Sequence, residues 1–270
     1  MYYFKELKNF FLHILENKTT IWSLIKINFK QEYLGSYLGL FWAFAQPLTY
    51  MTVIWFVFTY GFRQGNTTNG VPFFVWLMSG MIPWFFFSAG LSGGANAVVS
   101  NAFLVKKVAF RVSILPLVKI GSALIIHLVL ILFLIFALIL YGYYPSVYWL
   151  QIFYYLFLMI FLLTGLGWLT SAIRVFVKDV SSFITVIIQI GFWATPIFWN
   201  PSMVPQKYAW ILHINPMAYI VEGYRDSFIN HIWFWQKWED GLYFMAISIP
   251  LFILGAIVFR RLRPHFGDVL

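Results

Sequence analysis

Acid–base chemistry has few places to reside in this 270-residue chain, which carries nine carboxylates, five histidines and no cysteine. Thiolate nucleophiles, thiolate metal sites and disulfides are excluded. Among the carboxylates, only Glu222 with Asp226 and the adjacent Glu239 and Asp240 form pairs along the chain. Glu222 and Asp226 stand one helical turn apart, with Arg225 between them. That grouping suits acid–base work and equally a local ion pair, and the ion pair is the simpler reading. HExxH, GxSxG and metal-spaced histidines are all missing, so no catalytic residue and no metal ligand is expected. No Gly-Lys pair occurs, so the chain holds no GxxxxGK[ST] loop for ATP. His127 stands alone in an apolar run, where a packed residue bonded to a neighbouring helix is favoured over a proton relay.

The elements that must position these residues are dictated by composition. Hydrophobic residues make up 61% of the chain, charged residues 10%, and the mean hydropathy is +0.80. Soluble domains carry roughly 25% charged residues, so the chain reads as an all-α, polytopic membrane protein. Apolar runs near the ~20 residues that cross a bilayer occur at about Leu34–Tyr60, Pro72–Val99, Ile114–Tyr141, Val147–Ile173, Ser181–Trp199 and Leu242–Phe259, which gives six expected spans. Pro47, Pro83, Pro116 and Pro250 lie in or near them and are expected to kink them.

Residues 1–30 do not resemble a signal peptide, because Lys5, Glu6, Lys8, Glu16 and Lys18 interrupt any apolar stretch. Tyr3, Phe4, Leu7, Phe10, Phe11, Ile14 and Leu15 recur at intervals of three and four, as in an amphipathic helix on a membrane surface. The chain therefore divides into a surface region, 1–30, and one membrane domain, 31–270. Within that domain a cationic segment, about 100–113, joins spans two and three. A Pro- and Trp-rich segment, about 200–240, is too apolar for a free loop and too broken for a span, and is expected to form short re-entrant helices.

Placing the N-terminus in the cytoplasm puts fourteen of the eighteen Lys and Arg inside and leaves only Arg63, Lys207, Arg225 and Lys237 outside. Both termini are then cytoplasmic. The net charge of +9 is accounted for by topology, without nucleic acid as a partner. Coupled carriers keep ionisable groups at membrane depth, and between their interfacial ends the runs here hold essentially only His127. A passive conduit, a scaffold, or the membrane half of a machine with a separate motor remains, and the last has a surface helix and a basic loop to push on.

Three blocks resemble the permease subunits of bacterial ABC exporters for lipid-linked polysaccharide and teichoic acid. They are Tyr37-Leu-Gly-Leu-Phe-Trp-Ala-Phe-Ala-Gln-Pro47, Val175-Phe-Val-Lys-Asp179 followed by Thr195-Pro196, and Asn215-Pro216-Met-Ala-Tyr through Arg225. Lys178 stands where that family usually has Arg, which keeps the charge and loses the fork. The resemblance implies a homodimer of this chain with two copies of a P-loop ATPase, which uses ATP and Mg, in the bacterial cytoplasmic membrane. It places ATPase coupling at residues 1–30 and at Phe103, Lys106, Lys107, Phe110 and Arg111, with a second contact at Arg174, Lys178 and Asp179. It places an outer gate at Asn215, Pro216, Glu222, Arg225 and Asp226. The cargo implied is a polyprenyl-diphosphate-linked glycan, teichoic acid foremost and O-antigen or capsular polysaccharide as the alternative.

Sugar C–H faces stack on aromatic rings, so Tyr37, Phe41, Trp42, Phe192, Trp193 and Phe198 are candidate linings of a sliding path; lipid-facing belts and helix packing are the plainer roles for the same rings. Lys26, Lys30 and Arg111 are candidates for the carrier diphosphate, although positive-inside topology alone puts cations there; membrane lipid is a further partner of the chain. Outside this class, a drug or small-lipid exporter of like architecture, a membrane enzyme acting on an isoprenoid carrier, and a noncatalytic scaffold are the alternatives.

Overall fold

The computed structural model describes residues 18–33, 38–63, 70–106, 111–208 and 210–270. Among them every regular element is helical. The amphipathic face from Tyr3 to Leu15, together with Tyr37, Lys107 and Phe110, lies outside the described residues.

Helix α1 (Lys18–Tyr33) packs across the start of α4 (Leu115–Leu140). Lys119 Nζ donates to Asn28 Oδ1 at 2.8 Å, and Ser122 Oγ to the Ile25 carbonyl at 3.3 Å. The remaining long elements are α2 (Phe41–Phe56, extended by a π turn to Gly61), α3 (Phe73–Asn96), α5 (Ile152–Phe176), α6 (Val180–Ala194), the short α7 (Trp210–Ile214) and α8 (Pro216–Arg225), and α9 (Trp238–Leu262).

Five helical stretches are long and apolar enough to cross a membrane: Phe41–Gly61, Phe73–Asn96, Val112–Leu140, Val147–Phe176 and Phe234–Val269. The expected fifth span, Ser181–Trp199, is shorter than its apolar run. Its helix stops at Ala194, because Thr195 precedes Pro196 and takes extended dihedrals, φ −87° and ψ 139°. Fifteen residues reach about 22 Å, less than the ~30 Å hydrocarbon core. The last span begins earlier than expected, with Glu239 and Asp240 in its first turn, where carboxylates suit a helix N-terminus. Pro47, Pro83 and Pro250 lie inside helices, whereas Pro116 occupies the first turn of α4, where no backbone donor is lost.

The bundle is built around α3. The apolar window of α3 is 78% buried, against 11% for α2, which leaves α2 at the rim. Glycines bring the helices together, as is usual where lipid provides no hydrophobic push. A Cβ on Gly94 of α3 would stand 3.3 Å from Gly167 Cα of α5, and one on Gly165 would stand 2.6 Å from Phe252 Cα of α9. At one end of the bundle, Ala97, Val112, Trp168, Val175, Phe259 and Phe266 form a separate apolar cluster. It ties the C-terminal ends of α3, α5 and α9 to the turn before α4. Trp168 Nε1 adds a 3.0 Å bond to the Ser113 carbonyl. This is the basic end, with Arg111, Arg174 and Lys178 on its connections; the re-entrant helices occupy the opposite end.

Candidate functional site

Where α6 stops, the chain reverses through Thr195-Pro196-Ile197-Phe198, all four buried. Asn215 holds this reversal to the re-entrant helices. Its side chain accepts from Met217 N at 3.0 Å as the N-cap of α8, and its Nδ2 donates to Thr195 Oγ1 at 2.8 Å. Pro216 follows at the first helical position, where its fixed φ suits the helix. Thr195 passes the link back along α6 by donating to the Gly191 carbonyl at 2.7 Å. The Thr-Pro and Asn-Pro pairs, twenty residues apart in sequence, are thus one structural unit.

Arg225 locks that unit to the core. The residue is 1% exposed. Its Nη1 donates to the Pro196 carbonyl and to Glu222 Oε1, both at 2.6 Å, and its Nη2 to the Ile197 carbonyl at 2.7 Å. The guanidinium lies 3.5 Å over the Trp76 ring of α3. Gly80, one turn further on, leaves the room: a Cβ there would meet Arg225 Nη2 at 2.8 Å and the Ile197 carbonyl at 3.1 Å. Burial lowers the guanidinium from its ordinary value, and Glu222 opposes the shift.

Asp226, also 1% exposed, pairs with Lys237 and accepts from Asn230 Nδ2 at 2.9 Å. Burial pushes its carboxyl up, while Lys237 and then Asn230 pull it back. Glu222, Arg225 and Asp226, grouped by the sequence, are therefore ion-paired, Glu222 with Arg225 and Asp226 with Lys237. Past the π turn Asp226–Asn230, His231 takes a left-handed conformation, φ 55°. Gln151, at the turn before α5, then clamps the chain, donating to the Ile232 carbonyl at 2.8 Å and accepting from Phe234 N at 2.9 Å. A cavity of about 300 Å³ opens between α7, α8, α9 and the reversal.

His127 is buried and lies 2.7 Å from the Tyr224 hydroxyl, with its ring stacked on Phe86 at 4.7 Å between centroids. It joins α4 to α8 and α3 as a packed polar residue. No group of three or more His, Asp or Glu placed to hold a metal occurs among the described residues.

The profile of the family described as ABC-2 type transporter matches residues 19–229, well over half of the chain. The chain belongs to the ABC-2 type transporter family. It is similar to the O-antigen export system permease protein RfbA of Klebsiella pneumoniae, at 28% identity over 89% of this chain and 91% of the relative. It is also similar to RfbA of Myxococcus xanthus, at 29% identity over 91% of this chain and 93% of the relative. As an ABC-2 permease it is the membrane component of a transporter, which agrees with its lack of a nucleotide loop.

Within this ABC-2 permease the described residues among those singled out for coupling, apart from residues 18–30, sit at the basic end. Phe103 is exposed on a single turn, Ala102–Val105, followed by Lys106; Arg111 precedes a 3-10 turn into α4. Arg174 lies in the last turn of α5, while Lys178 and Asp179 are exposed just before α6. The aromatics divide. Phe41 and Trp42 are exposed and meet edge to face at 5.9 Å, and Trp193 is 65% exposed. Phe192 and Phe198 are buried against each other at 5.5 Å, with Tyr50, Trp84 and Phe58 around them, so within the protomer they are packing at the reversal. Tyr50 joins α2 to α6 there, and Phe41 lies roughly 13 Å further along α2.

Trp76, Gly80, Gln151 and Lys237 take part in this site without standing out in the sequence. Gln151 had one faint signal, a lone amide at the head of an apolar run.

Proposed function

We propose that this chain is the membrane passage of an ATP-driven exporter that moves a polyprenyl-diphosphate-linked cell-surface polysaccharide of the O-antigen kind across the bacterial cytoplasmic membrane. The observation that carries the reading is the similarity to permeases named for O-antigen export along nearly the whole of both chains. Those names favour O-antigen over teichoic acid, the cargo foremost in the sequence reading.

Two copies of the chain stand side by side with two copies of a separate P-loop ATPase, in which ATP and Mg are used. The basic end faces the cytoplasm with both termini, in keeping with the distribution of Lys and Arg. Phe103, Lys106, Lys107, Phe110 and Arg111 receive the ATPase, with Arg174, Lys178 and Asp179 as a second contact. The re-entrant unit of Asn215, Pro216, Glu222, Arg225 and Asp226 forms the outer gate. The exposed rings of Phe41, Trp42 and Trp193 offer faces along which a glycan slides, since stacking tolerates translation better than directional hydrogen bonds do.

Deleting the chain in its native host tests the reading. Surface polysaccharide should disappear while its lipid-linked form accumulates inside, and both should revert on re-expression. Unchanged surface polysaccharide would refute it.

A further inference from the structure

The cavity at the re-entrant end has a composition that ion pairing alone does not require. Its floor is the carboxylate of Asp226, and its rim carries His213 and Asp240, whose side chains are each 39% exposed and lie 3.2 Å apart. Glu222, Tyr219 and Asn215 supply further polar atoms from one face of α8. Phe244, Pro196 and Leu212 supply apolar surface. At about 300 Å³ it lies at the small end of the roughly 300–1,000 Å³ usual for ligand clefts, so it holds one ring rather than a chain.

The polar groups define what kind of ring. Arg225 takes one oxygen of Glu222, a residue that lines the cavity, and leaves the second without a bond from that guanidinium. His213 takes one oxygen of Asp240 and leaves its second for a donor. These are acceptors for hydroxyl groups, set beside C–H surfaces on which the face of a pyranose rests. A phosphate is poorly served. Three carboxylates line the space, and Lys237, the one lysine among the lining residues, is already bound to Asp226. Nor do three His, Asp or Glu among the described residues come together as a metal-ligand set.

We propose that this cavity is a saccharide subsite that takes a single neutral sugar ring of the exported polymer at the re-entrant end, an assignment that rests on the export reading above. Held there by two or three hydroxyl contacts, each ring gives way to the next as the polymer advances. The same lining discriminates against polymers whose repeat carries phosphodiesters, by repulsion from Glu222, Asp226 and Asp240.

The test is saturation-transfer NMR on the full-length permease with its ATPase in lipid nanodiscs. The probes are the methyl glycosides of glucose, galactose, mannose and N-acetylglucosamine, with sn-glycerol 3-phosphate as the anionic probe. At least one glycoside should receive saturation, and its affinity should fall by about tenfold in Asp240→Asn and in His213→Gln, each of which removes a rim contact. Phe136→Ala, exposed on α4, which supplies no lining residue, should leave the signal unchanged. Failure of every glycoside to bind, equal binding by Asp240→Asn and His213→Gln, or preference for glycerol 3-phosphate would overturn the assignment. The two readings fail separately: a strain whose surface polysaccharide depends on the chain, but whose permease binds no glycoside, refutes the subsite alone. Loss of the export phenotype itself is read from the deletion strain.

Discussion

Arg225 shows how much one side chain organises. Its charge is buried, yet it is matched by Glu222, by two carbonyls and by the Trp76 face, and removing it leaves all of these unpaired. Arg225→Ala should therefore lose about 3–5 kcal/mol, as other broken buried pairs do, visible as a lower melting temperature of the purified protein. Arg225→Lys should recover only part of this, since an ammonium cannot fork to both carbonyls and Glu222; full recovery would show that charge alone matters. His127 tests the absence of a proton relay. His127→Gln should retain export, because an amide still reaches Tyr224. His127→Leu should cost about 1–3 kcal/mol by orphaning that hydroxyl. Export abolished by Gln in a stably folded protein would restore the relay. Arg225 and Glu222 were recognisable in the sequence as an ion pair three residues apart. Trp76 and Gly80 were not, because their role depends on α3 passing beside the reversal, and in sequence they are ordinary members of an apolar run.

At the scale of elements, the apolar runs located the spans because a bilayer imposes one length on every crossing. The re-entrant helices were legible for a related reason: prolines at 201, 205 and 216 interrupt a stretch too apolar to leave the membrane. The shortness of α6 followed from local chemistry at Thr195-Pro196 but was hidden by the apolar residues that continue past it. Tertiary anchoring was harder to read. Asn215 was marked only as a motif, and its bond to Thr195 emerges when the two segments fold together. Gln151 anchors the far end of the re-entrant unit with two bonds that imitate a neighbouring strand. Gln151→Leu should remove the partner of the Ile232 carbonyl and of Phe234 N–H, losing about 1 kcal/mol for each of these part-buried bonds. Limited proteolysis should then cut faster between residues 230 and 236, while unchanged cutting would assign the segment's order to its aromatic packing instead.

The whole molecule is asymmetric in how well its helices are covered. The long stretch with α2 is the least covered, 11% buried against 28% to 78% for the other four, and α2 and its neighbour α6 present Val53, Phe56, Phe183 and Ile190 outward. The proposed second copy accounts for that face. The chain has no cysteine, so single cysteines report cleanly. Val53→Cys or Ile190→Cys should form disulfide-linked dimers in membranes, whereas Phe153→Cys, exposed on α5, should not; the reverse pattern would move the interface to α5. In the proposed machine this chain forms the passage, and a separate chain binds and hydrolyses ATP. The most direct test is to purify the tagged permease from its native host with whatever accompanies it, reconstitute the preparation in vesicles, and measure movement of lipid-linked polysaccharide with and without ATP. A P-loop ATPase in equal amount and transport that requires ATP hydrolysis are the predicted result. A chain that purifies alone after gentle cross-linking, or polysaccharide that crosses at the same rate without ATP, would contradict the account.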